Sequence, residues 1–178
     1  MNILKKLLTI GLWLIGIVLV YLALLFVSGN LEFPIAYPLS DKTVAIIKTA
    51  TRVETFEVQN DLGFDTTSST DGYTITKTGP VETGEYVKRL QDVLLSRWTF
   101  YRDSSKCIPE PPVMYRLVSP EGTVDVLPCF ECGILQVFTR TGKEVQPDAS
   151  WFGMGNRPKL LALAKEAFPK DPEIQSIR

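Results

Sequence analysis

The chain has 178 residues, of which 45% are hydrophobic and 10% aromatic, and its 19 basic and 20 acidic residues nearly cancel. This composition excludes a disordered or collagen-like chain, and the charge balance provides no basic surface for nucleic acid. The sequence contains no histidine, which excludes Ser-His-Asp and Cys-His catalytic systems and every histidine-ligated metal site.

The N-terminal part of the chain has the pattern of a membrane anchor. Residues 7–27 form a run of 21 without a charged side chain, preceded by Lys5 and Lys6. As a helix this run is about 32 Å long, enough to cross a hydrocarbon core of about 30 Å. Apolar residues surround such a helix on every side, which is typical of a segment in lipid. We therefore expect residues 1–28 to be a cytoplasmic start and a transmembrane signal anchor.

The positive charges also predict an orientation. Basic residues before the span, and no basic cluster directly after it, favour a cytoplasmic N-terminus and a C-terminal domain in the periplasm or outside the cell. The lipid bilayer is therefore an expected partner of this single-pass protein. A cleaved signal peptide is the alternative, because residues 27–29, Val-Ser-Gly, fit a small-residue cleavage site.

The remaining chain is predicted to be a tether followed by an α+β domain. Residues 29–41 contain Pro34 and Pro38, which prevent a regular helix or a central strand. Residues 42–178 are expected to form the extracytoplasmic domain. Alternating or β-branched segments predict strands at 43–48, 52–58, 73–78, 113–118, 123–127 and 134–139. Apolar spacing predicts a helix at 84–96, capped by Thr83, and a last helix that begins after Asn156 and stops at Pro169.

The connections between these segments favour one architecture. Residues 59–72 are polar and predict a loop, residues 98–112 are irregular, and residues 119–122, Ser-Pro-Glu-Gly, predict a turn that pairs 113–118 with 123–127. The predicted order is β-β-β-α-β-β-β-α. A two-layer structure follows from it, in which an antiparallel sheet carries two helices on one face.

Cys107, Cys129 and Cys132 are the sharpest local feature of the domain. The Cys-x-x-Cys-Gly pattern resembles a zinc knuckle, but the fourth ligand would have to be water or a carboxylate such as Glu110 or Glu131. We therefore expect no cofactor, with zinc as the alternative. A thioredoxin-like site needs its cysteines at a helix N-terminus, whereas this pattern lies between two predicted strands.

A structural disulfide suits the oxidising exterior that the topology predicts. Cys107 precedes the strand at 113–118, whose start lies beside the end of the strand at 123–127. Cys107 and Cys129 therefore fall at the same end of this hairpin. We expect Cys107 to bond with Cys129 or Cys132, which leaves one thiol free.

The same region resembles a group of small exported bacterial proteins. They share a lone cysteine, a strand carrying an arginine, a turn with glycine, and a strand that ends in Cys-Phe-x-Cys. Here these are Cys107, Arg116, Gly122 and residues 129–132. The resemblance implies export and a cysteine site on paired strands, and it implies no activity.

No catalytic motif points to an enzyme. The sequence lacks the Walker loop, the G-x-G-x-x-G and G-x-S-x-G patterns, and we assign no catalytic residue. The expected function is a membrane-anchored binding or assembly module whose partner is another envelope protein. The alternative is an extracytoplasmic metal-binding or thiol-redox protein that uses Cys107, Cys129 and Cys132.

Overall fold

The computed structural model describes residues 13–21, 38–60, 69–70, 72–102, 107–142 and 144–178. The chain divides into two compact units, Met1–Phe33 and Pro34–Arg178. In the first unit, residues 13–21 form a helix, α1, whose side chains are all exposed. Within the part of the chain that the structure describes, no helix combines the length and apolar character needed to cross a membrane. The predicted span at 7–27 extends beyond α1 on both sides into residues outside this part.

The second unit contains the sheet and the remaining helices. Its described elements are α2 Asp41–Thr49, β1 Arg52–Asn60, β2 Ser69–Thr70, β3 Tyr73–Thr83, α3 Glu85–Leu94, β4 Phe100–Arg102, β5 Val113–Ser119, β6 Gly122–Cys129, β7 Ile134–Thr141, β8 Glu144–Met154, α4 Arg157–Ala167 and α5 Pro172–Ser176.

The described strands form one eight-stranded sheet in the order β2-β3-β1-β5-β6-β7-β8-β4. Every neighbouring pair is antiparallel. The α+β class with an antiparallel sheet is therefore confirmed. The predicted order of elements is incomplete, because the described second unit reads α-β-β-β-α-β-β-β-β-β-α-α.

The predicted hairpin of β5 and β6 is confirmed, with Val118 opposite Thr123 and the turn at residues 120–121. Gly122, with φ of 150°, begins β6 directly after this turn. A Cβ at this position would lie 2.5 Å from the carbonyl oxygen of Arg140 on β7. Glycine is therefore required where the hairpin passes close to its neighbouring strand.

The strand predicted at 43–48 is wrong, because these residues lie in α2. The Ser40 hydroxyl accepts a hydrogen bond from the Thr43 backbone N–H at 3.3 Å and caps the first turn. Thr43, Ile46 and Ile47 are buried, and their spacing of three and four residues places them on one helical face. Burial of that face, together with the cap, overrides the strand preference of the β-branched residues.

Other boundaries also differ from the predictions. Thr83 is the last residue of β3, and Gly84 takes the N-cap position of α3, so the predicted Thr83 cap is wrong. Asn156 does precede α4, but its side-chain amide donates to the Thr99 hydroxyl at 2.7 Å and does not cap the helix. Strands β2, β4 and β8 and helix α5 were not predicted. The predicted loop at 59–72 is wrong at residues 59–60, which end β1, and at residues 69–70, which form β2. Its residues 61–68 and 71 lie outside the described residues.

The helices pack on one face of the sheet. Val113, Tyr115 and Leu117 of β5 share a hydrophobic cluster with buried residues of α2, α3 and α4. Met114 belongs to a second cluster with residues of β1, β3, β6 and β7. Because successive side chains of a strand point to opposite faces, the second cluster covers the face that is turned away from the helices.

The sheet has two ends with different roles. The cysteine end contains Cys129 and Ile134, which are paired across β6 and β7, and the opposite end contains Thr141. The chain joins the domain beside β7 and β8, where the Ser40 N–H donates to Asp148 at 2.8 Å and the Lys42 ammonium donates to Thr141, at the opposite end, at 3.1 Å. Residues 39–41, which the sequence assigned to the tether, are therefore part of the packed domain.

Candidate functional site at the cysteine end of the sheet

The cysteines lie in a tight turn between two strands, as the sequence predicts. Cys129 ends β6, residues 130–133 form the turn, and Ile134 begins β7. Gly133 has φ of 67°, a left-handed conformation that glycine adopts without strain. The glycine of the Cys-x-x-Cys-Gly pattern therefore closes the hairpin.

The structure joins Cys107 to Cys132 in a disulfide, with the Cα atoms 5.8 Å apart, and leaves Cys129 as a free, buried thiol. Of the two pairings that the sequence left open, this one connects the segment before β5 to the turn itself. The Glu110 N–H donates to the Cys129 sulfur at 3.3 Å. All three sulfurs therefore lie around residues 107–110, at one end of the sheet.

The surroundings of the cysteines bear on the two alternatives, a metal site and a redox-active thiol pair. Among the described residues, no group of three or more cysteine, aspartate or glutamate side chains is arranged to hold a metal ion. Cys129 and Cys132 also flank a turn between strands, so neither belongs to the first turn of a helix, as thioredoxin-like active cysteines do.

A cleft of about 700 Å³ opens beside the disulfide. Its walls come from the last residues of β1, from Thr76 of β3, from the segment before β5, from the turn at 130–133, from the start of α4 and from residues 171–178. Phe130 and Ile174 supply buried apolar surface. Six separate parts of the chain thus meet at one concave surface.

One side of the cleft carries an ion-pair network. The Lys77 ammonium lies 2.5 Å from a Glu57 oxygen and 3.7 Å from an Asp171 oxygen. Asp171 also caps α5 and accepts hydrogen bonds from the N–H groups of Glu173 and Ile174, each at 3.0 Å. The Ile174 N–H, with help from Lys77, lowers the pKa of Asp171, and Glu57 raises the pKa of Lys77. Asp171 and Lys77 therefore stay charged at neutral pH.

Arg157 connects two walls of the cleft by hydrogen bonds. Its Nε donates to the carbonyl oxygen of Phe130 at 2.8 Å, and its Nη2 donates to the backbone oxygen of Arg178. The first residue of α4 thus fixes both the cysteine turn and residue 178. Phe130 is 2% exposed and belongs to the main core. Packing of its ring in the core therefore also fixes the position of the turn.

Three exposed carboxylates also line the cleft. Glu110, Glu131 and Glu173 face the cleft, and none of them forms an ion pair with another described residue. Glu110 is on the segment that the disulfide holds, and Glu131 precedes Cys132 in the turn. The disulfide therefore fixes two of these carboxylates relative to each other.

Sequence reasoning found part of this site. The cysteines, Glu110 and Glu131 were singled out because they lie close together in sequence, whereas Glu57, Lys77 and Arg157 were missed. These three come from separate elements, and only the sheet order brings them to one end. The pair Asp171-Pro172 is a helix-start signal, and it could have revealed α5.

A separate cluster of charges lies on the face of the sheet without helices. Asp125 of β6 is fully buried and accepts from Arg116 Nε at 2.6 Å, from Arg116 Nη2 at 2.9 Å and from Arg140 Nε at 2.7 Å. The Asp125 carboxylate raises the pKa of Arg116. The cluster links β5, β6 and β7 side by side, which is a structural role.

Compared with protein-family models, curated proteins and solved structures, the chain has no match in any of the three. The cleft and the charges that surround it are therefore the features of the molecule that bear on its function.

Proposed function

We propose that the protein is a membrane-anchored binding module, and not an enzyme, whose ligand site is the cleft at the cysteine end of the sheet. The observation that carries this proposal is the cleft itself. Its volume of about 700 Å³ is in the range of known ligand sites, which are concave and combine apolar surface with a few convergent polar groups.

The charges of the cleft favour a basic occupant. Five carboxylates line it, from Glu57, Glu110, Glu131, Asp171 and Glu173, against the two guanidinium groups of residues 157 and 178. The Lys77 ammonium pairs with two of these carboxylates, which leaves the other three without an ion pair among the described residues. Arg157 is already engaged by two backbone oxygens. Complementary charge steers and selects a partner, and we therefore propose that the ligand is a segment rich in lysine or arginine on another envelope protein.

Site-specific photo-crosslinking of the full chain in its own membranes tests this function. A crosslinking residue at Gln59, which lines the cleft and is exposed, is expected to give a discrete adduct, and one at Lys48 on α2 is not. Excess oligolysine should compete for the adduct because it offers the same charge, and oligoglutamate should not.

Charge reversal supplies the matched control. Replacing both Glu110 and Glu131 by lysine should remove most of the Gln59 adduct, whereas Glu121→Lys at the exposed turn of the opposite end should leave it unchanged. The proposal is contradicted if Gln59 and Lys48 give equal amounts of adduct. It is also contradicted if the Gln59 adduct is unchanged by oligolysine and by the replacement of Glu110 and Glu131 with lysine.

We further propose that residues 7–27 anchor the chain and that the domain lies outside the cytoplasm. The uncharged run, the lysines at positions 5 and 6, and the exposed apolar side chains of α1, such as Trp13 at 71% exposure, support this topology. The disulfide supports it as well, because disulfides persist in oxidising compartments.

A reporter enzyme that needs its own disulfides, fused after Arg178, tests the topology. We expect full reporter activity with the natural N-terminus, because Lys5 and Lys6 keep that end in the cytoplasm. Deleting residues 1–28 should abolish reporter activity. A reporter that is inactive in the first fusion, or equally active in both, shows that this segment does not direct export.

A further inference from the structure

The free thiol of Cys129 lies beside an intact disulfide. The Glu110 N–H donates to its sulfur at 3.3 Å, and the Ile108 carbonyl oxygen lies 3.4 Å from the sulfur of Cys132. Ile108 and Glu110 are two residues apart, and both follow Cys107 directly. One short segment therefore contacts Cys129 and Cys132 and carries the third cysteine.

The three cysteines differ in their exposure. Cys129 is 1% exposed, Cys132 is half-buried and Cys107 is exposed. Cys129 and Cys132 lie at the two sides of one tight turn, and the Cα atoms of Cys107 and Cys132 are 5.8 Å apart. The buried Cys129 sulfur therefore lies next to the segment that the exposed Cys107 begins.

We propose that Cys129 exchanges with the disulfide inside the folded protein, so that the bond moves from Cys107–Cys132 to Cys107–Cys129. Cys129 gives its proton to water, and its sulfur attacks the sulfur of Cys107. The bond from Cys107 to Cys132 breaks, its electron pair goes to the Cys132 sulfur, and that sulfur takes a proton from water. One disulfide and one thiol are present before and after, so the step needs no external oxidant or reductant.

We place the attack at Cys107 because its segment contacts Cys129. The N–H of Glu110, three residues after Cys107, lies 3.3 Å from the Cys129 sulfur, so the new bond joins two segments that are in contact. The leaving sulfur belongs to Cys132 at the rim of the turn, where water stabilises the departing thiolate. Exchange thus turns a buried thiol into an accessible one.

The exchange changes what the disulfide holds. In the first form it clamps the segment at 107–110 to the turn that carries Glu131, and in the second form it clamps the same segment to the end of β6. The turn is then held by Phe130, by Arg157 and by the Met154 N–H, which donates to the Gly133 carbonyl oxygen at 2.7 Å. This inference stands on the positions of the cysteines and does not depend on the ligand proposed for the cleft.

Trapping with N-ethylmaleimide tests the exchange on the oxidised full chain in detergent. The native protein is incubated with the reagent at pH 8, denatured, treated with iodoacetamide and cut after glutamate, which separates Cys129 from Cys132 at Glu131. Mass spectrometry should find the maleimide on Cys132 and a Cys107–Cys129 crosslink that accumulates with time, because alkylation removes the released thiol.

Two variants complete the test. Cys129→Ser lacks the attacking sulfur, so Cys132 should gain no maleimide and the original disulfide should persist. Cys132→Ser, treated with oxidised glutathione as the oxidant, should form the Cys107–Cys129 bond, with reduced glutathione released. The proposal is overturned if the native chain gains no maleimide on Cys132, or if Cys129 is labelled while the original bond is retained. It is also overturned if Cys132 is labelled equally in Cys129→Ser, or if the label appears on Cys107 together with a Cys129–Cys132 bond.

Discussion

Replacing Asp125 by alanine should lower the free energy of unfolding by about 3–5 kcal/mol, the usual cost of breaking a buried ion pair by removing one partner. Asp125 is fully buried, and it receives hydrogen bonds from both Arg116 and Arg140. Without its carboxylate, two guanidinium groups face each other across β6 with no charge between them. Urea unfolding of the detergent-solubilised full chain, followed by tryptophan fluorescence, measures the loss.

Two control variants separate the loss of the buried ion pair from a general loss of charge. One replaces an exposed aspartate, and the other replaces the whole buried cluster by apolar residues. Asp92→Ala removes an exposed partner of Lys88 on α3 and should cost less than about 1 kcal/mol. Replacing Arg116, Asp125 and Arg140 together by leucine should recover much of the stability, because a buried ion cluster can be exchanged for apolar packing. A loss below about 1 kcal/mol for Asp125→Ala shows that the cluster contributes little.

Replacing Phe130 by alanine should cost about 3–5 kcal/mol, the range seen when a buried aromatic side chain is truncated. The ring belongs to the main core, and it anchors the cysteine turn beneath the cleft. Since Arg157 and the disulfide hold the turn from outside, the backbone cannot collapse into the space that the ring leaves. The same unfolding measurement should show the loss, with the Cys107–Cys132 disulfide still present.

Phe130→Leu is the matched control, because it keeps most of the apolar volume and should cost no more than about 1.5 kcal/mol. Equal stability of the alanine and leucine variants shows that the ring is not a core anchor, and we would then assign the position of the turn to Arg157 and the disulfide.

Local signals predicted the parts of the fold that depend on neighbouring residues. The β5–β6 hairpin followed from a Pro-Glu-Gly turn between alternating strands, and α3 followed from the spacing of Tyr86, Leu90, Val93 and Leu94, all of which are buried. Helix α2 was mistaken for a strand because its β-branched residues favour strands, while its burial on the sheet decides its conformation. Strand β8 contains Pro147 and several polar residues. These obscure the alternation of apolar and polar residues by which a strand is recognised in the sequence.

The candidate site was predictable only where its residues are close in sequence. The two cysteines of the turn are three positions apart, and their common location needs no knowledge of the fold. Glu57 and Arg157 are 100 positions apart in sequence and meet in the cleft only through the pairing of β1 with β5 and the placement of α4 over the sheet. Contacts of this kind depend on sheet order, which no local pattern encodes.

The separation of the two ends of the sheet has a mechanical consequence. The chain joins the domain near Thr141, and the cleft opens near Ile134 at the other end of β7, roughly 24 Å away at about 3.4 Å per residue. In a chain anchored through its N-terminal segment, a pull on a bound ligand acts along the strands. Hydrogen bonds between strands run across that direction. Such a pull therefore loads many of them in shear at the same time, and the sheet resists being pulled apart.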